Sequence, residues 1–224
     1  MGRVAYSPDA ASTIRAMSPV DGPLPIREQQ RAFTRRKLIE AAQQLFAEQG
    51  YLDTTVDDIA RTAGASRATF YLHFKSKAEL MATLIGDSEA SGVETYHVLD
   101  GILADDGPQL PKRLHAWLAD WLALWSGQAK AAHAVQQATM LEPEVEQRHL
   151  DLSQALVGGL ERYLESVPAG ECTSARERLL ILELMTQRAF ALAGRSLLPI
   201  ADDRLLDILT TLWLQVLVPG EQAC

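Results

Sequence analysis

Residues 54–80 read TTVDDIARTAGASRATFYLHFKSKAEL, and side chains that favour helix starts recur through this stretch. The hydroxyl residues that can cap a helix are Thr55, Ser66 and Ser76. An acidic residue follows the first and the last of them by three positions, which is the capping-box pattern. Gly64 lies where the chain must turn, and glycine tolerates the positive φ of a tight turn. The stretch therefore predicts two short helices joined by a turn and the start of another, which is a helix-turn-helix.

The second short helix has an apolar side and a polar side. The predicted core beneath the motif consists of Ile59, Ala63, Phe70 and Phe74. The side chains left facing outward are Arg67, Ala68, Thr69, Tyr71 and His73. Arginine can bind guanine edges through two hydrogen bonds, and threonine offers a hydroxyl and a methyl group. The pattern predicts a helix that enters the major groove of double-stranded DNA, against the alternative of a helical subdomain with an ordinary solvated face.

Residues 34–85 resemble the DNA-binding domain of the tetracycline-repressor (TetR) family of bacterial regulators. The matching segments are LFAEQGY at 45–51, TTVDDIA at 54–60, AGAS at 63–66 and FYLHFKSKAEL at 70–80. The resemblance covers about a quarter of the chain and implies an all-α protein that binds operator DNA as a dimer. One departure is Arg67-Ala68, where many members have a glycine, so the operator sequence cannot be copied from a relative.

The predicted DNA-binding residues extend beyond the outward face of the second helix. Basic residues of the first helix and of the segment after the motif suit phosphates, which fix register without recognising sequence. The full set is Arg31, Arg35, Thr55, Ser66, Arg67, Ala68, Thr69, Tyr71, His73, Lys75 and Lys77. Among these, Arg67 is expected to discriminate between bases, whereas Lys77 is expected to strengthen binding to all sequences alike.

Charge divides the chain into two unequal parts. Residues 1–85 hold 11 Lys and Arg against 9 Asp and Glu, whereas residues 86–224 hold 10 against 20, and the whole chain has a net charge of -8. An acidic body on a mildly basic head would orient the head toward DNA. The predicted domains are an N-terminal arm at 1–26, a DNA-binding domain at 27–85, and a helical ligand-binding and dimerisation domain at 86–224.

The arm has four prolines and neither a helical nor a strand period, so it is expected to be flexible. Two interpretations stand for it. It could enter the minor groove beside the recognition helix, as the arms of other helix-turn-helix proteins do. Alternatively, residues 1–16 are an unstructured leader, or translation begins at Met17, and this second interpretation is preferred.

Composition excludes several other classes of protein. Two cysteines without neighbouring metal ligands favour a reducing cytoplasm, and neither a membrane span nor a signal peptide is present in the sequence. The five histidines have no paired metal-binding spacing, and no phosphate-binding glycine loop or nucleophile elbow occurs. Glu142, Glu144 and Glu146 flank Pro143 and are expected to form a solvated helix start. We therefore expect neither an enzyme, nor a metal site, nor a cofactor.

The remainder of the chain is predicted to be helical. The first helix is expected over Arg27–Gln49 with Gly50 ending it, and the fourth from Ser76 to about Leu103. A helix reaching Val167 and a capping box formed by Ser174 and Glu177 are expected further on. The last two helices are interpreted as apolar almost all round, which predicts that they are buried. We expect them to pair with those of a second copy in a four-helix interface, against the alternative of a self-contained bundle.

Three of the four tryptophans, Trp117, Trp121 and Trp125, are spaced by four residues on one helix edge. Such a stripe is explained either by core packing or by the wall of an apolar ligand pocket. The predicted ligand-binding set is Trp117, Trp121, Trp125, His133, Gln137, Met140 and Gln187, and the ligand is an unidentified apolar or aromatic small-molecule effector. The function predicted is that of a repressor released by this effector from a palindromic operator; the alternative is a helical ligand- or protein-binding module without DNA recognition.

Overall fold

The computed structural model describes residues 25–87, 89–105 and 107–217, and within these ranges it contains helices and no strand. The predicted arm lies outside the described residues except for positions 25 and 26. The helices are α1 (Ile26–Asp53), α2 (Val56–Thr62), α3 (Arg67–Tyr71), α4 (Lys77–Asp87), α5 (Glu89–Leu103), α6 (Leu110–Gly127), α7 (Ala129–Leu141), α8 (Pro143–Gly158), α9 (Glu161–Ser166), α10 (Cys172–Ala193) and α11 (Asp202–Leu217). The all-α prediction is confirmed.

The predicted local signals of the helix-turn-helix are all present. The Thr55 hydroxyl accepts a hydrogen bond from the Asp58 amide at 3.1 Å, and the Asp58 carboxylate accepts one from the Thr55 amide, which completes the capping box of α2. Ser66 caps α3 in the same way through the Thr69 amide. Gly64 has a φ of 67° in the turn between them. These local hydrogen bonds fix the crossing of α2 and α3.

A kink at Gly50 ends the regular part of α1, as predicted. Gly50 has φ 85° and ψ 173°, a conformation open essentially to glycine alone. The kink turns Tyr51 inward, where it is buried against Phe46 with ring centroids 5.5 Å apart. The same turn presents the Tyr51 amide to the Gln137 side chain of α7, whose Oε1 accepts its hydrogen bond at 2.8 Å. The conformation of Gly50 therefore allows a hydrogen bond between the DNA-binding part of the chain (α1 to α4, the head) and the remaining helices (α5 to α11, the body).

Two buried clusters form the core of the molecule. The head cluster contains residues of α1 to α4, including Leu38, Phe46, Phe70 and Phe74, together with Ala134, Ala138 and Val145 from α7 and α8. The body cluster lies among α5, α6 and α8 to α11 and includes three of the tryptophans. Because α7 and α8 supply residues to the head core, the head is packed onto the body and does not hang from a free linker.

Several predicted helix limits in the body need correction. The helix expected to reach Val167 ends at Gly158, and a separate short helix, α9, follows. The prediction of a capping box formed by Ser174 and Glu177 is wrong. The helix α10 already begins at Cys172, and its cap residue Glu171 makes no side-chain cap hydrogen bond. The expected fourth helix is helical over α4 and α5, and position 88 between them lies outside the described residues.

The expectation that both last helices are apolar almost all round is wrong for α11. Four exposed polar residues spaced by four form a stripe along it: Asp203, Asp207, Thr211 and Gln215. Its opposite side is buried and includes Trp213, whose indole N–H donates to the Thr186 hydroxyl at 3.0 Å. On α10, by contrast, Ile181 and Met185 remain 65% and 40% exposed. The sequence shows the apolar content of these helices but not which side faces solvent.

Candidate nucleic-acid interface and ligand cavity

The outward face of α3 is held from beneath by one buried side chain. Phe70 is fully buried and packs against Phe74 with centroids 5.7 Å apart. Arg67, Ala68 and Tyr71 are consequently exposed. These side chains are presented to a partner by a helix of only five residues, whose position is fixed by its cap and its core contact.

Three hydroxyl residues of the predicted DNA-binding set are occupied in capping. The hydroxyls of Thr55 and Ser66 accept from backbone amides of their own helices. The Thr69 hydroxyl lies 2.9 Å from the Ser66 hydroxyl, and Thr69 is half-buried. The structure therefore gives these three residues a role in fixing α2 and α3, and any contact with DNA comes second to it.

Arg67 is held in place by two neighbours. Its guanidinium donates to the Asp57 carboxylate at 2.6 Å and lies 5.6 Å from the centroid of the Tyr71 ring. The charge of Asp57, followed by that of Tyr71, raises the pKa of Arg67. All three side chains are at the surface. Asp57 thus orients the arginine, and sequence inspection gave no reason to single it out.

A cationic cluster borders α3 on the side of the first helix. Burial lowers the pKa of His73, and the charges of Arg31 and Arg35 lower it further, which places both arginines near the imidazole. The Arg35 guanidinium lies 5.0 Å from the centroid of the Phe74 ring. Lys75 is exposed as well. The cluster suits phosphate oxygens, because it gathers permanent positive charge beside the exposed face of α3.

Lys77 belongs to the fold and not to this surface, which corrects the role predicted for it. Its ammonium donates to the backbone carbonyls of Tyr51 and Thr54 at 2.6 and 2.7 Å. It also lies 3.9 Å from the centroid of the Tyr51 ring. Burial lowers its pKa. Lys77 therefore caps the end of α1, where carbonyl groups lack helical partners, and its amine is not free for phosphate.

One exposed residue at this surface escaped the sequence analysis. Leu72, in the turn after α3, has 73% of its surface exposed. A large apolar side chain beside Tyr71 and His73 can contact sugar or thymine methyl groups. The sequence offered one indication of this exposure: Leu72 directly follows the short helix, at a position between the two core residues Phe70 and Phe74.

A cavity of about 400 Å³ lies where the head meets the body. Helices of both parts line it: α1 and α4 from the head, and α5, α6, α7, α8 and α10 from the body. Phe46, Met81 and Ile85 belong at once to its wall and to the head core. A molecule in the cavity would therefore press directly on the residues that hold the head together.

The structure brings together three of the seven predicted ligand-binding residues. Trp121, Trp125 and Gln187 line the cavity. Trp117 does not: it packs in the body core, 4.9 Å from the Trp121 centroid, and its indole N–H donates to the Thr95 carbonyl. The stripe of tryptophans is thus core at one end and cavity wall at the other.

The other three predicted ligand-binding residues lie elsewhere on α7. Gln137 binds the Tyr51 amide, and Met140 is 83% exposed on the surface. His133 is half-buried outside the cavity lining, and burial lowers its pKa, as do Arg195 and Arg188. The cavity wall on α7 is instead formed by Ala131, Ala132 and Val135, which lie on a different side of that helix.

The polar side of the cavity was not anticipated. Glu183 of α10 is fully buried, and burial raises its pKa to about 7. One of its carboxylate oxygens, Oε1, accepts from the Gln187 amide. The buried hydroxyls of Tyr96 and Ser153 lie beside this carboxylate and lower its pKa as hydrogen-bond donors, but no hydrogen bond of normal geometry joins them to its other oxygen, Oε2. His149 lies on the same wall, and its pKa is lowered by burial.

The seam between head and body contains the glutamates that were expected to be solvated. The Tyr51 hydroxyl donates to Glu142 at 2.9 Å, and the Ser76 hydroxyl donates to Glu144 at 3.1 Å. Burial raises the pKa of Tyr51, with Glu142 adding to the shift. The expectation of a solvated helix start holds for Glu144 and Glu146, which are exposed in the first turn of α8, and is wrong for Glu142, which is half-buried. Glu142 and Glu144 connect α8 to the head.

No group of three or more His, Cys, Asp or Glu side chains in the described ranges could hold a metal ion. No helix within those ranges is both long enough and apolar enough to cross a membrane.

The molecule has a short capped helix with an exposed arginine, and a cavity lies between this DNA-binding part and the helices packed against it. These features define a helix-turn-helix protein with an additional helical domain. Residues 38–84 match the family model of bacterial regulatory proteins of the tetR family. The match covers the helix-turn-helix part of the chain, from within α1 to within α4.

Known proteins resemble the head more than the body. The regulator TtgR of Pseudomonas putida is 46% identical over 52 residues, which cover 23% of this chain and 25% of that protein, so the match spans about a quarter of either length. A tetR-family regulator from Streptomyces coelicolor has a TM-score of 0.62 at 17% identity, covering 86% of this chain and 84% of its own. The structure of FadR from Bacillus subtilis in complex with stearoyl-CoA has a TM-score of 0.53 at 17% sequence identity, and the match covers 82% of this chain and 97% of FadR. At these identities the structures show that the whole fold is shared.

Proposed function

We propose that this protein is a sequence-specific transcriptional regulator that binds double-stranded operator DNA as a dimer, acts as a repressor, and is released by a small molecule. The observation that carries the proposal is the surface of α3. Arg67 is exposed and oriented there, and the exposed cations Arg31, Arg35 and Lys75 lie on the same part of the molecule. One group can discriminate between bases while the others fix register on phosphates. No catalytic role is proposed for any residue.

The first test is fluorescence anisotropy of the purified protein on labelled DNA from upstream of its own gene, over a salt series. Arg67→Ala is expected to cost about 1–3 kcal/mol on the preferred site and to reduce the preference over scrambled DNA. Lys75→Ala is expected to weaken both DNAs alike and to reduce the salt slope by about one. Lys112→Ala removes an exposed charge of α6 and serves as the control.

The outcomes separate the roles. Equal losses for Arg67→Ala and Lys75→Ala on all sequences would contradict the division between base and phosphate contacts. Sequence-blind binding by the unaltered protein, followed by failure of a random-sequence selection to recover a site, would favour a helical ligand- or protein-binding module without DNA recognition.

The dimer is proposed to form through α10 and α11. Ile181 and Met185 are exposed apolar residues one turn apart on α10, and they border a groove completed by Leu212 and Val216 of α11. A second copy would cover this groove through the same surface, giving four helices at a two-fold axis. Two heads could then occupy half-sites roughly 34–36 Å apart on one face of DNA.

Ile181→Asp is expected to weaken the dimer at least about tenfold, because it places a charge in the centre of the apolar contact. Light scattering of the eluting protein at micromolar concentration measures the mass. Met140→Asp alters an even more exposed apolar residue of α7 and should leave the dimer intact. A dimeric mass for Ile181→Asp, or a monomeric mass for the unaltered protein, would contradict this interface.

Release by ligand is proposed to work through the wall that head and body share. A ligand in the cavity contacts Phe46 of α1 and Met81 of α4, so it favours one placement of the head over another. If that placement does not match the operator half-sites, ligand and DNA oppose each other, and DNA must weaken the ligand by the same factor. The cavity of about 400 Å³ suits a small apolar or aromatic effector rather than a molecule of acyl-CoA size.

A further inference from the structure

We infer that the cavity selects a hydrophobic organic cation that has an N–H donor, such as a protonated aromatic amine, and that Glu183 is the residue that recognises it. This inference rests on the proposed function in so far as the cavity is taken as the effector site. It goes further by naming the charge and the hydrogen-bonding type of the effector. Four features of the cavity support it: a buried carboxylate with one oxygen that lacks a hydrogen bond of normal geometry, neighbouring groups without positive charge, aromatic walls, and a lining without Lys or Arg in the described part of the chain.

The buried carboxylate has one oxygen without a hydrogen bond of normal geometry. Glu183 is 0% exposed, its Oε1 accepts from the Gln187 amide, and the hydroxyls of Tyr96 and Ser153 lie near the carboxylate without completing such a bond to Oε2. A buried acceptor without a donor is costly, so such groups in folded proteins usually mark a ligand, an ion or a water. Glu183 is the one carboxylate among the residues that line the cavity in the described part of the chain, so it is the acid nearest to a donor placed there.

The groups around Glu183 carry no positive charge. The hydroxyls of Tyr96 on α5 and Ser153 on α8 lie beside its carboxylate as neutral donors, without hydrogen bonds of normal geometry, and each keeps lone pairs for a ligand donor. His149 on α8 faces the same wall, and burial lowers its pKa, so it is neutral near neutral pH. No Lys or Arg is among the residues lining this cavity in the described part of the chain. A ligand anion would therefore face a carboxylate with no cation to offset it.

The walls suit a cation that is otherwise apolar. Phe46, Tyr96, Trp121 and Trp125 line the cavity, and the faces of aromatic rings attract cations through their quadrupoles. Tyr96 and Trp121 meet edge to face with centroids 5.9 Å apart, so they form a continuous aromatic surface beside Glu183. An ammonium group at Oε2 with its apolar body against the tryptophans would satisfy both parts of the site.

The test is calorimetric titration of the unaltered protein, at about pH 8, with three molecules of one shape: 1-naphthylmethylamine, 1-naphthylmethanol and 1-naphthoic acid. At that pH Glu183 is ionised. The amine is expected to bind at least about tenfold more tightly than the alcohol, and the acid more weakly than either. Stronger binding of the acid, equal binding of amine and alcohol, or no binding by any of the three would overturn the inference.

Glu183→Gln tests the residue itself. It keeps the size of the side chain and removes the charge, so the preference for amine over alcohol is expected to fall to within about twofold. Glu165→Gln, an exposed acid of α9, should leave that preference unchanged. A variant that retains the preference would overturn the role of Glu183. The titrations of the unaltered protein decide the ligand class even if the variant does not fold.

The anisotropy assay distinguishes this inference from the function on which it rests. Specific DNA binding without amine binding overturns the cation site and leaves the regulator standing. Amine binding that does not alter DNA affinity keeps the cation site and contradicts release by ligand from this cavity.

Discussion

Gly50→Ala is expected to lower the free energy of unfolding by about 2–4 kcal/mol, because it combines backbone strain with the loss of a buried hydrogen bond. Gly50 has φ 85° and ψ 173°, which an alanine adopts only with strain. A methyl group there would also lie 2.8 Å from Gln137 Oε1. Moving that side chain away leaves the Tyr51 amide without its acceptor. Urea unfolding followed by circular dichroism measures the loss.

The chain supplies a matched control for this prediction. Gly64 also has positive φ, 67°, but a methyl group added there meets nothing within 4 Å. Gly64→Ala should therefore show the cost of strain alone, about 1–2 kcal/mol. In a Gln137→Ala background, the effect of Gly50→Ala should fall to a similar size, because the collision and the hydrogen bond are both gone. Equal effects of Gly50→Ala and Gly64→Ala in the unaltered protein would contradict a role for the Gln137 contact.

The helix-turn-helix could be predicted from sequence because its signals are local. Thr55 and Ser66 cap helices through amides only three residues away, and the positive φ of Gly64 concerns a single residue. Lys77 shows the limit of prediction from local sequence signals. Its partners, the carbonyls of Tyr51 and Thr54, lie more than twenty residues back, and a lysine beside a recognition helix has the same sequence appearance whether it binds phosphate or carbonyls.

The ligand cavity was harder to predict because core and cavity wall require the same side chains. Trp117 and Trp121 are four residues apart on one helix, and only the second lines the cavity. The sequence-based prediction wrongly assigned Gln137 of α7 to the cavity. Its actual partner, the Tyr51 amide, lies 86 residues away in the chain, and such a contact leaves no local pattern in the sequence. Glu183 did give a signal: it is the single charge in the apolar run LLILELM at 179–185, where a carboxylate is costly unless it has a purpose.

The same glutamate should make the stability of the unliganded protein depend on pH. Its pKa is raised from 4.5 to about 7, with burial as the main cause. The folded protein therefore retains a proton that the unfolded chain loses above pH 4.5. The stabilising effect of this proton is complete below that pH and is lost as the pH rises through about 7, for a total of about 3 kcal/mol.

Glu183→Gln should remove this dependence, because glutamine does not titrate. We expect the variant to be more stable than the unaltered protein above about pH 7, by up to about 3 kcal/mol, and similar in stability near pH 4.5. His149 has a lowered pKa, so it acts in the opposite sense and destabilises both proteins as the pH falls. Tyr96 has a raised pKa and does not titrate in this range. The difference between the two proteins therefore isolates Glu183.

Thermal unfolding of both proteins from about pH 4.5 to 8.5 measures this difference directly. Parallel curves would show that Glu183 is ionised at all these pH values and that the fold already compensates its charge. The aromatic amine provides an internal check: because a cation at Oε2 replaces the missing partner, it should stabilise the unaltered protein above about pH 7 and leave Glu183→Gln nearly unaffected. A carboxylate that destabilises the empty protein and is stabilised by its ligand would thus make the strength of ligand binding rise with pH.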